Sequence, residues 1–248
     1  MAKQAGLGDS LLIDGYNLSG DVGSVQRISS SLSPLDVTAI NASAMERIPG
    51  LFDGALEFNA FFNDAAGQEH VVLKAKGSDA NRVCTYLRGA TIGKGAAGIV
   101  AKQVNYDPSR GPDGSLTEAV QCLGAAYGLD HCDQLTAGLR TDTAATNGAS
   151  WDNLLATALG LAAYLQVTAF TGVDVTMRVQ ESSDDAAGDP FANVTGGGFT
   201  QVTAAPTAER IVTSLTLAVE RYLRVVTVTT GGVTSVTFSV IVTRNPAA

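Results

Sequence analysis

The residues best suited to metal chemistry lie close together in one segment. His131 and Cys132 are adjacent, and Cys122 comes ten residues before Cys132. Thiols and imidazoles bind zinc, but a structural zinc site needs four ligands at spacings such as C-x-x-C, which the chain lacks. Adjacent side chains in a strand also point to opposite faces. The pattern therefore predicts small buried cysteines and no metal site.

Nucleophilic catalysis is the second chemistry that these residue types allow. Cys132 and His70 could form a thiol–imidazole pair, but no orienting or oxyanion motif accompanies either residue. The serine-rich segment SVQRISSSLS (24–33) lacks the G-x-S-x-G turn of a serine nucleophile and indicates a polar loop or a strand edge. The chain has only two histidines. We therefore predict no catalytic residue and no enzymatic activity.

Two further segments could bind small ligands. GATIGKGAAG (89–98) is rich in glycine, but it lacks the G-x-x-x-x-G-K-[ST] order of a phosphate loop and indicates a loop between strands. SSDDAAGDP (182–190) gathers acidic side chains that could hold calcium, but its spacing is not that of an EF-hand. Its turn residues favour a solvated loop, so we predict no cofactor.

Composition excludes several functional classes. The 248 residues carry 16 basic and 24 acidic side chains, for a net charge of −8, and only 16% are charged. Such an acidic chain does not coat nucleic acid, which requires a basic surface. No apolar run is long enough to span a membrane, and the first residues do not form a signal peptide. With three cysteines, we expect synthesis in a reducing cytoplasm.

The elements point to a mainly β fold in two parts. TDTAATNGAS (141–150) is small, polar and without periodicity, so we predict a linker there and domains at 1–145 and 146–248. In the second part, VDVTMRVQ (173–180) alternates apolar and polar residues, and Val- and Thr-rich runs are separated by glycine turns. That pattern predicts an antiparallel β-sandwich.

The first part also consists mostly of predicted strands. SLLIDGYNLSG (10–20) places two apolar runs around Asp14–Gly15, which is typical of a hairpin. AAGQEHVVLKAKG (65–77) predicts one short helix that ends before Gly77. PSRGPDG (108–114) predicts a turn or a hairpin tip. The predicted N-terminal domain is a β-sandwich or barrel with this helix.

The order of these features resembles the major tail tube protein of phages with long, non-contractile tails. The features are LLIDGYNLSGDVGSV (11–25), LDVTAINASAMERIPGLFDGALEFNAFF (35–62), RVCTYLRG (82–89) and two long strands that end at AAYGLD (125–130). The rest of the chain resembles the β-sandwich domains that decorate the outside of some phage tails and capsids.

This resemblance implies a structural virion protein of a siphophage tail. Such a protein forms homo-hexameric rings that stack into a tube, and DNA passes through the tube during ejection without specific binding. Its partners would be copies of itself, a tape measure protein and a tail terminator. On this interpretation SVQRISSSLSPLD (24–36), AMERIPGLFDG (44–54), the 89–98 segment and PSRGPDG are inter-subunit loops. The candidate contact residues are Arg27, Ser30, Glu46, Arg47, Asp53, Lys94, Arg110 and Asp113.

Other functional classes remain open. A capsid decoration protein would share the β-sandwich, and so would a cell-surface or carbohydrate-binding protein. A sugar site needs exposed aromatic side chains, and the chain has a single tryptophan, Trp151. For the tail tube interpretation, we expect that removal of residues 150–248 leaves assembly intact.

Overall fold

The computed structural model describes residues 6–75 and 80–245. In these residues it has sixteen strands and one helix, so the predicted mainly β fold with one short helix is confirmed. The first nine strands are β1 (Ser10–Ile13), β2 (Tyr16–Asn17), β3 (Val22–Asp36), β4 (Arg47–Phe61), β5 (Arg82–Leu87), β6 (Gly95–Arg110), β7 (Leu116–Gly124), β8 (Asp130–Gln134) and β9 (Arg140–Asp142). The others are β10 (Trp151–Asp152), β11 (Leu161–Gly172), β12 (Thr176–Ser182), β13 (Ala192–Gly198), β14 (Thr207–Val212), β15 (Tyr222–Val228) and β16 (Val233–Arg244).

The helix, α1 (Glu69–Leu73), lies inside the segment where the sequence predicts it. Gly77, the predicted end of that helix, lies outside the described residues. The predicted hairpin at Asp14–Gly15 is also present, since Ile13 pairs with Tyr16. Asp14 and Gly15 have φ values of 52° and 83°, as a two-residue type I′ turn requires.

The strands form two antiparallel sheets. One path of the larger sheet runs β14-β11-β16-β8-β6-β5-β1-β2, and a branch from β6 continues through β7 and β4 to β3. The smaller sheet has the order β10-β15-β12-β13. The two sheets face each other across an apolar core that includes Leu165 of β11, Met177 of β12 and Phe238 of β16. This packing is the sandwich that the alternating C-terminal strands predict.

Strand β11 is buried on both faces. Its side chains alternate, so Leu161, Ala163 and Leu165 enter the sandwich core while Tyr164 enters a second core. That second core contains Leu12, Leu87 and other side chains of the N-terminal strands. A third core, which lies on the other face of β1, β5 and β6, includes residues of β4 and encloses one side of α1.

The segment predicted as a linker is packed against the fold. Arg140–Asp142 pairs with β16, the amide of Thr146 donates to the carbonyl of Thr227 at 3.2 Å, and the amide of Gly148 donates to the carbonyl of Val225 at 2.8 Å. Strand pairing therefore crosses position 145, because β16 pairs with both β8 and β9. The division into domains at 1–145 and 146–248 stays a prediction.

Candidate inter-subunit surface

The far end of the β3–β4 hairpin, which we call the arm (residues 30–54), is highly exposed. Strand β4 pairs with β7 only from Ala55 to Phe61, so among the described strands the arm part of β4 pairs with β3 alone. At about 3.3 Å per residue, the seven residues from Ser30 to Asp36 carry the arm roughly 23 Å past this pairing. The arm therefore projects from the sheet.

The arm carries large apolar side chains that the described chain leaves exposed. Ile40 is 106% exposed and Leu51 is 85% exposed. The other exposed large apolar side chains of the arm are Leu32, Leu35, Val37, Met45, Ile48 and Phe52. Eight exposed large apolar side chains within one hairpin are unusual for a monomeric protein and are typical of an interaction site.

The tip of the arm has a defined structure. The amide of Val37 donates to the carbonyl of Glu46 at 3.0 Å, and the carboxylate of Asp36 accepts from the amide of Thr38 at 2.9 Å. The Thr38 hydroxyl in turn accepts from the amide of Glu46 at 2.9 Å. These bonds hold residues 36–38 and Glu46 together at the base of the connection between the strands.

Strand β3 also offers an open edge. Within residues 6–75 and 80–245, β3 pairs with β4 and with no other strand. An unpaired edge presents backbone N–H and C=O groups that can extend a sheet of another subunit. The pairing of β3 with β4 is irregular near Val22–Ser24, Val25–Arg27 and Leu32–Pro34, so the regular stretch of this edge runs from Arg27 to Leu32.

A notch lies where the arm joins the body. It is lined by Leu51, Phe52, Ala126 and Tyr127 together with glycines of the β4 and β7 segments. Gly54 permits the close approach, because a Cβ there would lie 2.6 Å from the amide nitrogen of Leu129. The notch is open to solvent, and two of its lining residues, Leu51 and Phe52, belong to the arm.

Several predicted contact residues lie in strands rather than in loops. Arg27 and Ser30 belong to β3, Arg47 and Asp53 belong to β4, and Glu46 directly precedes β4. The predicted loops at 24–36 and 44–54 are therefore the two strands of one hairpin. The prediction of loops is wrong for both segments, whereas the strand edge that the 24–33 segment also allows is present as β3. Both faces of the arm are exposed, so its residues lack the alternation that identifies a half-buried strand.

The structure brings five of the eight predicted contact residues onto this hairpin. Arg27 forms an exposed ion pair with Glu57 at 3.3 Å near the root of the arm. Lys94 lies in the turn before β6, and Arg110 and Asp113 lie at the β6–β7 tip. Phe61 of β4 pairs with Thr117, next to that tip, so the tip lies at the end of β4 opposite the arm. A contact role for all eight residues stays a prediction.

Ile40 and Tyr127 lie outside the predicted contact segments, and Leu51 and Phe52 lie within the 44–54 segment without being among the predicted contact residues. Ile40, Leu51, Phe52 and Tyr127 are all large, apolar and exposed. Each stands in a segment with proline, glycine or small residues, where apolar side chains without periodicity indicate neither a helix nor a buried strand. Such unpatterned apolar residues are the signal that could have identified the arm.

The residues considered for metal or catalytic chemistry do not assemble into a site. Cys132 is buried in the second core while His131 is exposed, as their adjacent strand positions require. His70 lies elsewhere, with Nδ1 2.7 Å from the hydroxyl of Tyr106. Burial raises the pKa of the Cys132 thiol, which disfavours the reactive thiolate. In the described part of the chain, no three His, Cys, Asp or Glu side chains are grouped so that they could hold a metal ion.

Both candidate ligand loops form hydrogen bonds within the chain. The amide of Gly93, in the 89–98 segment, donates to the carbonyl of Gln134 at 2.8 Å. In the 182–190 loop, the carboxylate of Asp184 accepts from the amides of Gly188 and Asp189 at 2.6 and 3.1 Å. The acidic oxygens of Asp184 therefore bind their own loop. Across the described residues, no helix has the length and apolar character that crossing a membrane requires.

Comparison with known proteins gives no assignment by sequence. No protein-family model matches the chain. No curated protein matches it either.

Among the solved structures to which the chain is similar are components of a gene transfer agent particle and of phages. A chain of the virion of a native gene transfer agent particle shares 15% identity with a TM-score of 0.41, over 52% of this chain and 98% of that one. The SPP1 Dit protein, described as a hub of the adsorption apparatus of phages that infect Gram-positive bacteria, shares 12% identity with a TM-score of 0.36, over 93% and 98%. A chain of the activated phage p2 baseplate shares 8% with a TM-score of 0.34, over 94% and 97%. Likenesses this low carry no argument about the function of the chain.

Proposed function

We propose that this chain is a structural subunit of a phage tail and that it assembles with copies of itself through the arm. The observation that carries the proposal is the concentration of exposed large apolar side chains on the arm, with Ile40 and Leu51 the most exposed of them. A buried apolar surface stabilises association by about 25 cal/mol per Å² before the costs of association. In a monomer the apolar side chains of the arm remain in water, whereas in a polymer each contact between subunits buries them.

The placement of the arm favours a tube. The arm and the β6–β7 tip with Arg110 lie at opposite ends of β4. A subunit that uses two different surfaces at opposite ends makes head-to-tail contacts, and such contacts repeat along an axis. In this proposal six copies form a ring, and the arm of one ring contacts the next ring.

The open edge of β3 supplies the second kind of contact. Sheet extension between neighbouring subunits in a ring satisfies the unpaired backbone groups of β3 and closes the sheet into a barrel. In this proposal residues 1–145 form the wall of the tube and residues 146–248 lie on its outer side. Tape measure and tail terminator proteins are the further partners, and the virion tail is the location.

The charge of the chain fits a conduit for DNA. The net charge is −8, and a wall without excess positive charge does not hold phosphate groups in place. DNA would pass through the lumen during ejection without specific binding.

Sedimentation of matched variants tests the role of the arm. We expect the full chain to form concentration-dependent polymers and the Ile40→Asp/Leu51→Asp variant to remain monomeric with an unchanged thermal midpoint. Leu7→Asp is the control, because Leu7 is 93% exposed outside the arm. Polymers of equal size from the arm variant would contradict the proposal. Retention of the monomeric wild type on capsids or glycans would instead support a decoration or a carbohydrate-binding protein.

A further inference from the structure

The helix α1 carries a buried carboxyl group without a partner. Glu69 is 0% exposed, and neither of its carboxylate oxygens has a hydrogen-bond partner among the described residues. Burial of an ionised carboxylate is costly unless a cation or hydrogen-bond donors compensate for the lost water. The structure around Glu69 therefore favours the neutral, protonated acid.

The groups that face Glu69 are mostly acidic. From the turn before β3, the carboxylate of Asp21 accepts from the amide of Glu69 at 3.1 Å and from the side chain of Asn63 at 2.8 Å. From β7, Glu118 is buried, and its Oε2 has no partner among the described residues. Glu118 hydrogen-bonds to Tyr106 of β6, whose hydroxyl lies 2.7 Å from Nδ1 of His70.

The arginine that contacts α1 is directed elsewhere. Arg82 of β5 donates to the carbonyl of Val72 at 3.0 Å and pairs with Asp14 at 2.9 Å. Lys74, after the end of α1, is exposed. The positive charge of Arg82 is therefore directed to Asp14 and not to the Glu69 carboxyl.

These surroundings change the acidity of both glutamates. Burial, with added repulsion from Glu118 and Asp21, raises the pKa of Glu69 to about 7. Burial also raises the pKa of Glu118. The pKa of Glu69 in the unfolded chain is 4.5, so the folded chain holds this proton more tightly. The stabilisation is complete below 4.5 and is lost as the pH rises through about 7.

The cluster lies at the root of the hairpin that ends in the arm. Asp21 directly precedes β3, and its carbonyl accepts from the amide of Phe61, the last residue of β4, at 2.8 Å. Asn63, two residues after β4, bonds to the carboxylate of the same Asp21. Glu69 is therefore linked through Asp21 to the start of β3 and to the end of β4.

We propose that the Glu69 carboxyl is a pH-sensitive latch that holds α1 against the root of the hairpin while it is protonated and releases α1 when it ionises. The trigger is repulsion of the ionised Glu69 carboxylate by Glu118 and Asp21, while the positive charge of the nearby His70 acts on Glu118. The released segment is 61–75, which contains α1 and the connection from β4. This device goes beyond the proposed assembly and does not depend on it.

Amide hydrogen exchange of the full chain at two pH values tests the latch. After correction for intrinsic rates, we expect exchange in residues 61–75 to be at least about tenfold faster at about pH 8.5 than at about pH 5.5. The Glu69→Gln variant is expected to remove this difference. Glu46→Gln, at an exposed glutamate of the arm, is the control and is expected to retain it.

Two results would overturn the latch. One is equal protection of residues 61–75 at both pH values in the wild type. The other is the same pH difference in Glu69→Gln as in the wild type. Should Glu69→Gln fail to fold, carbon-13 NMR titration of the wild-type carboxyl groups replaces it: a Glu69 pKa near 7 supports the latch, and one at or below its unfolded value of 4.5 overturns it.

Discussion

The hydroxyl of Tyr164 donates a hydrogen bond of 2.5 Å to the carboxylate of Asp130. Arg210 completes this buried group, since its Nε donates to the Tyr164 hydroxyl at 3.0 Å and its Nη2 lies 3.3 Å from Asp130. The three residues come from β11, β8 and β14, so a polar network joins the C-terminal strands to the N-terminal part. Charges in such a site are stable only while every partner is present.

Tyr164→Phe is expected to destabilise the protein by about 1–3 kcal/mol, because the variant keeps the ring but removes a donor from a buried carboxylate. Tyr16→Phe is the control, since Tyr16 is half-buried and its hydroxyl has no hydrogen bond in the described part of the chain. Urea denaturation measures both variants. Equal stability of Tyr164→Phe and the wild type would show that the network contributes nothing.

Gly98→Ala tests the close packing between β6 and β11. A Cβ at Gly98 would lie 2.6 Å from the ring of Tyr164, which is itself fully buried. Overpacking of a core usually costs about 1–3 kcal/mol. Gly95→Ala, in the same strand, is the control because a Cβ there meets nothing within 4 Å. Thermal unfolding should distinguish the two variants, and equal midpoints would contradict the packing.

Removal of residues 150–248 is now expected to prevent folding of the remainder, contrary to the expectation from sequence. The deletion removes Tyr164 and Ile241, which cover Leu12, Leu87 and Val100 in the second core. It also removes β16, the partner of β8 and β9. Circular dichroism of the 1–149 fragment checks this expectation. A soluble fragment with a cooperative thermal transition would instead support an independent N-terminal domain.

Asp174→Asn is expected to lower stability above about pH 4 but not near pH 2. The amide and hydroxyl of Thr230 donate to the Asp174 carboxylate at 2.8 and 2.7 Å, and these bonds lower its pKa to about 2 from 3.8. The stabilisation is therefore present above 3.8 and is lost as the pH falls through about 2. Thermal midpoints across this range measure it, with Asp185→Asn at an exposed position as the control. A constant difference between variant and wild type would contradict this cause.

Local signals allowed parts of the fold to be predicted from sequence. The Asp14–Gly15 turn and the helix near Glu69 depend on neighbouring residues, and both form where predicted. The packing of the 141–150 segment could not be predicted because its partners, such as Val225, come some 80 residues later. The arm was predicted as loops because its strands bury neither face. A pattern of burial cannot reveal an element that its own chain leaves exposed.

Negative-stain electron microscopy of the concentrated full chain tests the central claim most directly. The proposed function predicts hollow tubes or stacked rings, and it predicts their loss in the variant with aspartate at Ile40 and Leu51. Uniform single particles at every concentration, with the wild type and the arm variant alike, would contradict assembly through the arm.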